Sequence, residues 1–258
     1  MAAGTIKRDE PLPSKLRLYR SRVQLNGRRK AALGTGSVPR MLTTRLHLAV
    51  VVFAGSGDLG AALASAGFKV IVWDVKLSSS HDLLIAHNRL CLMRVLGACK
   101  FAHFGLPRST YVGGRRVSNG VNAVRTASHL RGIPSLSATE AVQIHNADVL
   151  TSFAVKCINR LRSRGIACTV EHPHSSLLWR LPSFRAYLLH PEVVYVRTSF
   201  CMFGARWKKQ TGLLSIHFPL VRELESHRGA DACSEFARLV LQQILWNKVS
   251  ERRWSHYN

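Results

Sequence analysis

The amino-acid sequence predicts an α/β fold with a mainly parallel β-sheet, helices on both faces of the sheet and an antiparallel finish. Three observations support this prediction. Residues 48–74 read as a strand, a glycine turn, a helix and a second strand in one run; later strand-like runs alternate with helical patterns; and a short cationic turn separates the last two strand patterns. Alternating strands and helices form parallel sheets, whereas strands joined by a short turn pair antiparallel.

The first strand, helix and second strand are the most clearly marked elements. Residues 49–53 form a continuous apolar run, which is typical of a strand that is buried on both faces. The run Gly-Ser-Gly-Asp-Leu-Gly over residues 55–60 then gives the pattern GxGxxG. Residues 59–66 predict a short helix, and residues 69–73 predict a second strand that ends at Asp74.

The glycine loop and Asp74 form the first candidate site. Free N–H groups at a helix start can bind an anionic group, and a carboxylate that ends the next strand can accept hydrogen bonds from ribose hydroxyls. Asp74 follows Gly55 by 19 residues, close to the spacing of about 20 expected for a ribose contact. The pattern therefore favours a nucleotide-type ligand. The alternative is a structural glycine turn, with Asp74 as a solvated strand end.

A long cationic loop follows the third predicted strand. Residues 82–97 predict a helix and residues 100–106 a strand, and residues 107–135 then form a loop without Asp or Glu. Its arginines are Arg108, Arg115, Arg116, Arg125 and Arg131. Long loops beside the carboxyl ends of parallel strands carry ligand sites in many α/β proteins, so we expect this loop to contact a phosphate backbone.

The second half of the chain completes the predicted sheet. A capping box formed by Ser137 and Glu140 opens a long helix that Gly165 ends. Further strands are expected at residues 166–170, 193–196 and 213–218, and Glu171 follows the first of them. The last helix is expected to bury one apolar face, formed by Phe236, Leu239, Val240 and Ile244.

The charge of the chain lies far outside the usual range of enzymes that act on small metabolites. The 258 residues include 37 Lys and Arg against 14 Asp and Glu, a formal net charge of +23. Phosphates that contact Lys and Arg release counterions, so this surplus predicts a polyanionic partner, with DNA or RNA as the first candidate. We expect no membrane partner, because the sequence has no long basic amphipathic helix.

The length predicts one α/β domain with extensions. Residues 1–45 carry eleven Lys and Arg and no sustained apolar period. We expect a disordered basic arm there, which contacts nucleic acid, carries an import signal, or is a solvated leader or linker. The domain is expected over residues 46–250, with a tail at 251–258. Six cysteines without a CxxC pair, and no secretory signal pattern, predict a reducing intracellular location, nuclear or cytoplasmic.

Five short sequences occur in an order that is typical of a known protein family. They are Phe53-Ala54-Gly55-Ser56-Gly57, the strand-end Asp74, His81-Asp82-Leu83-Leu84, Glu171-His172-Pro173-His174-Ser175-Ser176-Leu177-Leu178-Trp179, and Cys201-Met202-Phe203-Gly204 with Trp207-Lys208-Lys209 and Thr211. Over residues 46–245 the chain resembles the DNA-methyltransferase-like proteins encoded with mobile elements, which are distantly similar to DNA cytosine-5 methyltransferases. The resemblance implies a Rossmann-like methyltransferase fold, S-adenosylmethionine as the methyl donor and DNA as the acceptor.

The same resemblance implies roles for particular residues. It assigns the glycine loop and two flanking positions to the cofactor: Phe53, Gly55, Ser56, Gly57, Gly60 and Asp74. It places Glu171 beside the target base, where a carboxylic acid can protonate or hydrogen-bond a ring nitrogen. The alternative for Glu171 is a strand-end acid satisfied by nearby Arg or His side chains. The cationic turn with Arg206, Lys208 and Lys209 is expected to contact nucleic acid together with the loop arginines.

The chain also departs from the family pattern. Methylation of cytosine C5 needs a thiolate from a Pro-Cys loop, yet the corresponding residues 107–110 are Pro-Arg-Ser-Thr. Cys91 and Cys99 precede this loop and are expected to be packing residues. The motif of N-methylating enzymes is absent, and Val51 occupies the position of the acid that many methyltransferases carry before the glycine loop. These departures predict a degenerate copy that keeps the fold and cofactor binding without the chemistry.

Two other functions are compatible with the sequence. The first is a non-catalytic basic module that binds nucleic acid. The second is an NAD(P)-binding oxidoreductase, which the glycine loop and Asp74 permit equally well, although the net charge and the lack of a Tyr-x-x-x-Lys pattern argue against it. No metal is expected, because His172 and His174 would need distant partners. Trp179 and Trp207 can stack on bases, or cover the core.

Overall fold

The computed structural model of this chain describes residues 47–112, 123–199, 210–225, 234–240 and 242. The basic arm at 1–45, the tail at 251–258 and five of the expected nucleic-acid contacts lie outside these residues. Those five contacts are Arg115, Arg116, Arg206, Lys208 and Lys209.

One six-stranded sheet organises the described part of the chain, in the order β2-β1-β3-β4-β6-β5. The strands are β1 (Leu48–Val52), β2 (Lys69–Trp73), β3 (Phe101–Gly105), β4 (Ala167–Pro173), β5 (Val193–Ser199) and β6 (Gln210–Ile216). The first four strands pair in parallel, whereas β6 lies antiparallel between β4 and β5. The predicted α/β class, the mainly parallel sheet and the antiparallel finish are confirmed, and the arrangement is Rossmann-like.

Helices cover both faces of this sheet. They are α1 (Asp58–Ser65), α2 (Ala86–Leu96), α3 (Ala138–Arg162), α4 (Pro182–Leu188) and a last helix, α5, described over residues 234–240. Side chains of α2, α3 and α4 share one apolar core, and those of α1 and α5 share the other. In β1, Val50 faces the first core and Val51 the second. This two-sided burial explains why β1 is apolar at every position.

Local sequence signals account for several helix ends. The Ser137 hydroxyl accepts a hydrogen bond from the Glu140 N–H, and the Glu140 carboxylate accepts one from the Ser137 N–H, so the predicted capping box is confirmed. Pro182 is the first residue of α4, where its missing N–H removes no helical hydrogen bond. The sequence analysis did not predict this helix. Short 3-10 helices, at Ser79–His81, Leu177–Arg180 and Pro219–Glu225, were not predicted either.

Several predicted boundaries were wrong: β5 ends three residues after the expected strand, and β6 begins three residues before it. Two further differences have a reason in the surrounding structure. The strand expected at 166–170 continues to Pro173, because β6 pairs with its far end and places Glu171 opposite Leu213. Glu171 therefore lies within β4 instead of after it. The helix expected from residue 82 begins only at Ala86, because residues 79–81 form a 3-10 helix and a turn follows it. The Asn88 side chain donates a hydrogen bond to the Asp82 carbonyl and so stabilises this turn.

Candidate functional site

The loop between β1 and α1 is built for tight backbone turns. Phe53, Gly55 and Gly57 all have positive φ angles, of 57°, 59° and 84°. The Gly57 N–H donates to the Ala54 carbonyl at 3.0 Å, which closes the turn. A Cβ atom added at Gly55 or Gly57 would meet no atom within 4 Å. The glycines are thus required by the backbone conformation, and open space remains beside them.

The start of α1 faces this loop without a side-chain cap. Gly57 is the N-cap residue and makes no side-chain hydrogen bond to the helix. The first helical hydrogen bond runs from the Ala61 N–H to the Gly57 carbonyl at 3.0 Å. The N–H groups of residues 58–60 therefore precede the hydrogen-bonded ladder, and such groups can bind an anionic ligand.

The Asp74 side chain joins the glycine loop to the end of β2 through hydrogen bonds. One carboxylate oxygen accepts from the Gly55 N–H at 3.0 Å, and the other accepts from the Lys76 N–H at 2.9 Å. Only 8% of Asp74 is exposed. The glycine loop and Asp74, which the sequence places in one candidate site, are thus in direct contact. Each oxygen keeps a further lone pair, so the carboxylate can still accept from a ligand hydroxyl.

His81 supports Asp74 from the following turn, a contact that the sequence analysis missed. Its ring stacks on Trp73 with the centroids 4.6 Å apart, and its Nδ1 lies 3.3 Å from the Asp74 carbonyl oxygen and 3.4 Å from the Asp74 nitrogen. Burial lowers the pKa of His81, opposed in part by the Asp74 carbonyl and carboxylate. A partly buried imidazole with a lowered pKa therefore contacts the backbone beside the carboxylate.

Glu171 lies on the same edge of the sheet, next to a buried histidine. Its Oε2 is 3.7 Å from Nε2 of His103, and a quarter of its side chain, 25%, is exposed. The Nδ1 of His103 lies 2.9 Å from the Thr169 hydroxyl. An ionised Glu171 favours the proton on Nε2, in which case Thr169 donates to Nδ1. His103 and Thr169 thus place two buried polar side chains on the same face of the sheet as Glu171.

Gly105 brings the two halves of the candidate site together. It pairs with Glu171 across β3 and β4, and a Cβ atom at Gly105 would lie 2.9 Å from the Phe53 carbonyl oxygen. The end of β1 therefore packs against β3 at a distance that only glycine permits. Three strand spacings separate Asp74 from Glu171, about 14 Å at 4.8 Å per strand.

The described arginines of the long loop have different surroundings. Arg108 is exposed after β3, as a phosphate contact would require. Arg125 is only 1% exposed, and its guanidinium donates to Asp148 at 2.9 Å and to the carbonyls of Leu130 and Ile144. The guanidinium also lies 4.3 Å from the centre of the Tyr111 ring. Because it is buried and bonded inside the loop, Arg125 is not on the surface where we expected it.

Three of the described cysteines carry thiols that are poor nucleophiles. Cys99, Cys157 and Cys168 are buried, and Cys91 is partly buried. Burial raises the pKa of Cys99 and of Cys157 to about 12, and it raises that of Cys168 as well. The expectation that Cys99 is a packing residue agrees with this burial. A thiol with such a pKa is protonated at neutral pH and is a poor nucleophile.

Neither a metal site nor a membrane span is found in the described ranges. No group of three or more His, Cys, Asp or Glu residues there could hold a metal ion. None of the described helices combines the length and the apolar character that crossing a bilayer requires.

Comparisons with known proteins include a distant structural likeness. No protein-family model matches the chain, and no curated protein matches it. A solved structure, the Entamoeba histolytica methyltransferase EhMeth, aligns with a TM-score of 0.40 and 11% sequence identity. The alignment covers 73% of this chain and 58% of that one, so the chain spans less than two thirds of the length of this neighbour.

Proposed function

We propose that this chain is a methyltransferase-like protein that binds S-adenosylmethionine at the glycine loop and has nucleic acid as its partner. One observation carries the proposal. The glycine loop is hydrogen-bonded to the strand-end Asp74, and Glu171 lies along the same edge of a mainly parallel sheet. In open α/β sheets, ligands bind at the carboxyl ends of the parallel strands, which is this edge.

The glycine loop has the space and the donors that such a cofactor needs. Open space lies beside Gly55 and Gly57, and the N–H groups of residues 58–60 can receive the carboxylate of an amino acid. Asp74 keeps acceptor capacity for ribose hydroxyls while it holds the loop. When bound, S-adenosylmethionine supplies a methyl group activated by its sulfonium.

Glu171 is the residue that would act on an acceptor base. Its partly exposed carboxyl can hold a proton or accept a hydrogen bond at the edge of the sheet, and it lies 3.7 Å from Nε2 of His103. Arg108 follows the neighbouring strand and would contact the phosphate backbone. Arg115, Arg116, Arg206, Lys208 and Lys209 remain proposed contacts of the same kind.

A binding protein without catalysis is the second candidate, and the cysteines favour it. Residues 107–110 carry no thiol, and the buried cysteines have raised pKa values. The loop that supplies the nucleophile for cytosine C5 methylation therefore lacks it, and the three buried cysteines do not replace it. Under this second reading the chain keeps the fold and its affinity for nucleic acid.

Calorimetric titration of the full chain with S-adenosylmethionine, its demethylated product and NAD tests the proposal. Two variants accompany the wild type. Gly57→Val fills the open space beside the loop, and Gly67→Val places the same side chain at another positive-φ glycine with open space, at the far end of α1. Circular dichroism checks that both variants fold. We expect the first two ligands to bind the wild type and Gly67→Val, but not Gly57→Val.

Each other outcome contradicts part of the proposal. Saturable binding of NAD alone would support the oxidoreductase instead. No binding of any ligand to a folded sample would leave the nucleic-acid-binding module as the better account. Equal binding to wild type and Gly57→Val would refute the assignment of the cofactor to the glycine loop.

A further inference from the structure

The edge of the sheet opposite the candidate site carries a group of exposed cations. Helices α2 and α3 both end there, and β3 begins there. We call this group the amino-edge surface, and its members are Arg94, Lys100, Lys156, Arg160 and Arg164. All five are exposed. The Arg164 guanidinium donates to the Gly97 carbonyl at 2.9 Å, which joins the ends of the two helices.

Compensation of helix dipoles explains only part of this group. A cation in the last turn of a helix is stabilised by the partial negative charge there, and this effect fades within one turn. Arg160 lies in the last turn of α3 and Arg94 in that of α2. Lys156 precedes the end of α3 by six residues, and Lys100 lies beyond the end of α2. Their positions require another reason.

The sequence on either side of these cations contains no carboxylate. Residues 83–139 and 149–170, which include α2, β3 and the last part of α3, contain no Asp or Glu. Positive potentials from the five exposed cations therefore add over this edge of the molecule.

We propose that the amino-edge surface binds the phosphate backbone of a nucleic acid, separately from the site at the carboxyl edge. Three of its five cations are arginines, whose planar guanidinium matches phosphate geometry. An anionic membrane fits less well, because four of the large exposed apolar side chains lie between the end of β2 and the start of α2, at the opposite edge: Val75, Leu77, Leu84 and Ile85. This inference does not depend on cofactor binding.

Paired charge-loss variants of the full chain test this proposal. The test variant is Lys100→Ala with Arg160→Ala, and the control is Arg185→Ala with Arg222→Ala, which removes the same charge from exposed positions outside the surface. The affinity for a fluorescent 20-mer duplex is measured by anisotropy between 50 and 200 mM salt. Two lost phosphate contacts should lower the affinity about tenfold and reduce the salt slope by about 1.8, at roughly 0.9 per contact. The control should remain near wild type.

Two outcomes would overturn the proposal. The first is an affinity and a salt slope that are the same in the test and control variants. The second is a larger loss of binding to phosphatidylserine vesicles than to the duplex, which would identify a membrane surface. Titration with S-adenosylmethionine in parallel separates this result from the proposed cofactor site, because the test variant should bind the cofactor as the wild type does.

Discussion

Replacing Asp74 by Asn should loosen the glycine loop through one misplaced hydrogen bond. The two carboxylate oxygens of Asp74 each accept from a backbone N–H, at Gly55 and at Lys76. Asn has one carbonyl oxygen and one NH₂ group, so in either orientation an N–H donor faces another N–H donor. The substitution therefore keeps the shape of the side chain and removes one of its two contacts.

The size of the effect follows from the burial of Asp74. A hydrogen bond to a charged acceptor contributes about 1.5–3 kcal/mol, and an unmet buried donor costs about 1–3 kcal/mol. With 8% of Asp74 exposed, little solvent is present to replace the lost partner. We expect Asp74→Asn to lower the free energy of unfolding by about 2 kcal/mol, and Asp74→Ala, which loses both contacts, by about 3–4 kcal/mol.

Urea unfolding followed by tryptophan fluorescence measures these values, with Trp73 adjacent to the substitution. The matched control is Asp58→Asn in the same loop. Asp58 is exposed and accepts from the Ser56 hydroxyl at 2.6 Å, so its change should stay within about 0.5 kcal/mol. A change within that limit for Asp74→Asn would mean that the hydrogen bonds of this carboxylate do not stabilise the glycine loop.

Three further predictions concern the surroundings of the site. Gly105→Ala should lower the free energy of unfolding by about 1–3 kcal/mol, because its Cβ would lie 2.9 Å from a main-chain oxygen of Phe53; wild-type stability in urea would contradict this. Arg125→Met should cost about 3 kcal/mol because it removes the guanidinium that pairs with Asp148 and donates to two carbonyls. Tyr111→Phe keeps the ring under the guanidinium and loses one hydrogen bond to Asp148, so it should cost about 1 kcal/mol; equal costs would contradict this difference. The lowered pKa of His81 makes the folded protein bind this proton less readily than the unfolded chain. Its stabilising contribution is therefore present above pH about 6.5 and is lost as the pH falls toward the lower folded value. Between pH 7 and pH 5, the free energy of unfolding should fall less in His81→Phe than in the wild type or in a variant of the exposed His145. If the free energies of all three proteins fell in parallel, the prediction for His81 would be wrong.

Local signals explain why the first half of the site was predictable. The glycine loop, the helix that follows it and Asp74 lie within 27 residues, over 48–74. Residues close in sequence determine this part of the backbone, as the positive φ angles at the loop glycines show. The capping box at Ser137 was predictable for the same reason, because its partners are three residues apart. Signals of this kind need no knowledge of how the strands are ordered.

The remaining contacts depend on strand order and packing. His103 and Thr169 are 66 residues apart, and only the register of β3 with β4 places them side by side. Arg125 was assigned to the surface from its charge, whereas its burial depends on Asp148, 23 residues away, and on the Tyr111 ring. Glu171 was predicted after a strand, and pairing with β6 placed it within one.

The positions of the two proposed binding surfaces lead to a test of which one holds nucleic acid. β1 has five residues, so its two ends lie about 13 Å apart at 3.3 Å per residue. This exceeds the Debye length of about 8 Å at physiological ionic strength, so charges at the two edges interact weakly through the solvent. Nucleic acid bound only to the amino-edge surface should therefore keep its affinity when S-adenosylmethionine saturates the glycine loop. An affinity that changes with the cofactor would mean that the nucleic acid also reaches the carboxyl edge, where Arg108 and Glu171 lie, because a coupling free energy requires contacts that differ between the two states.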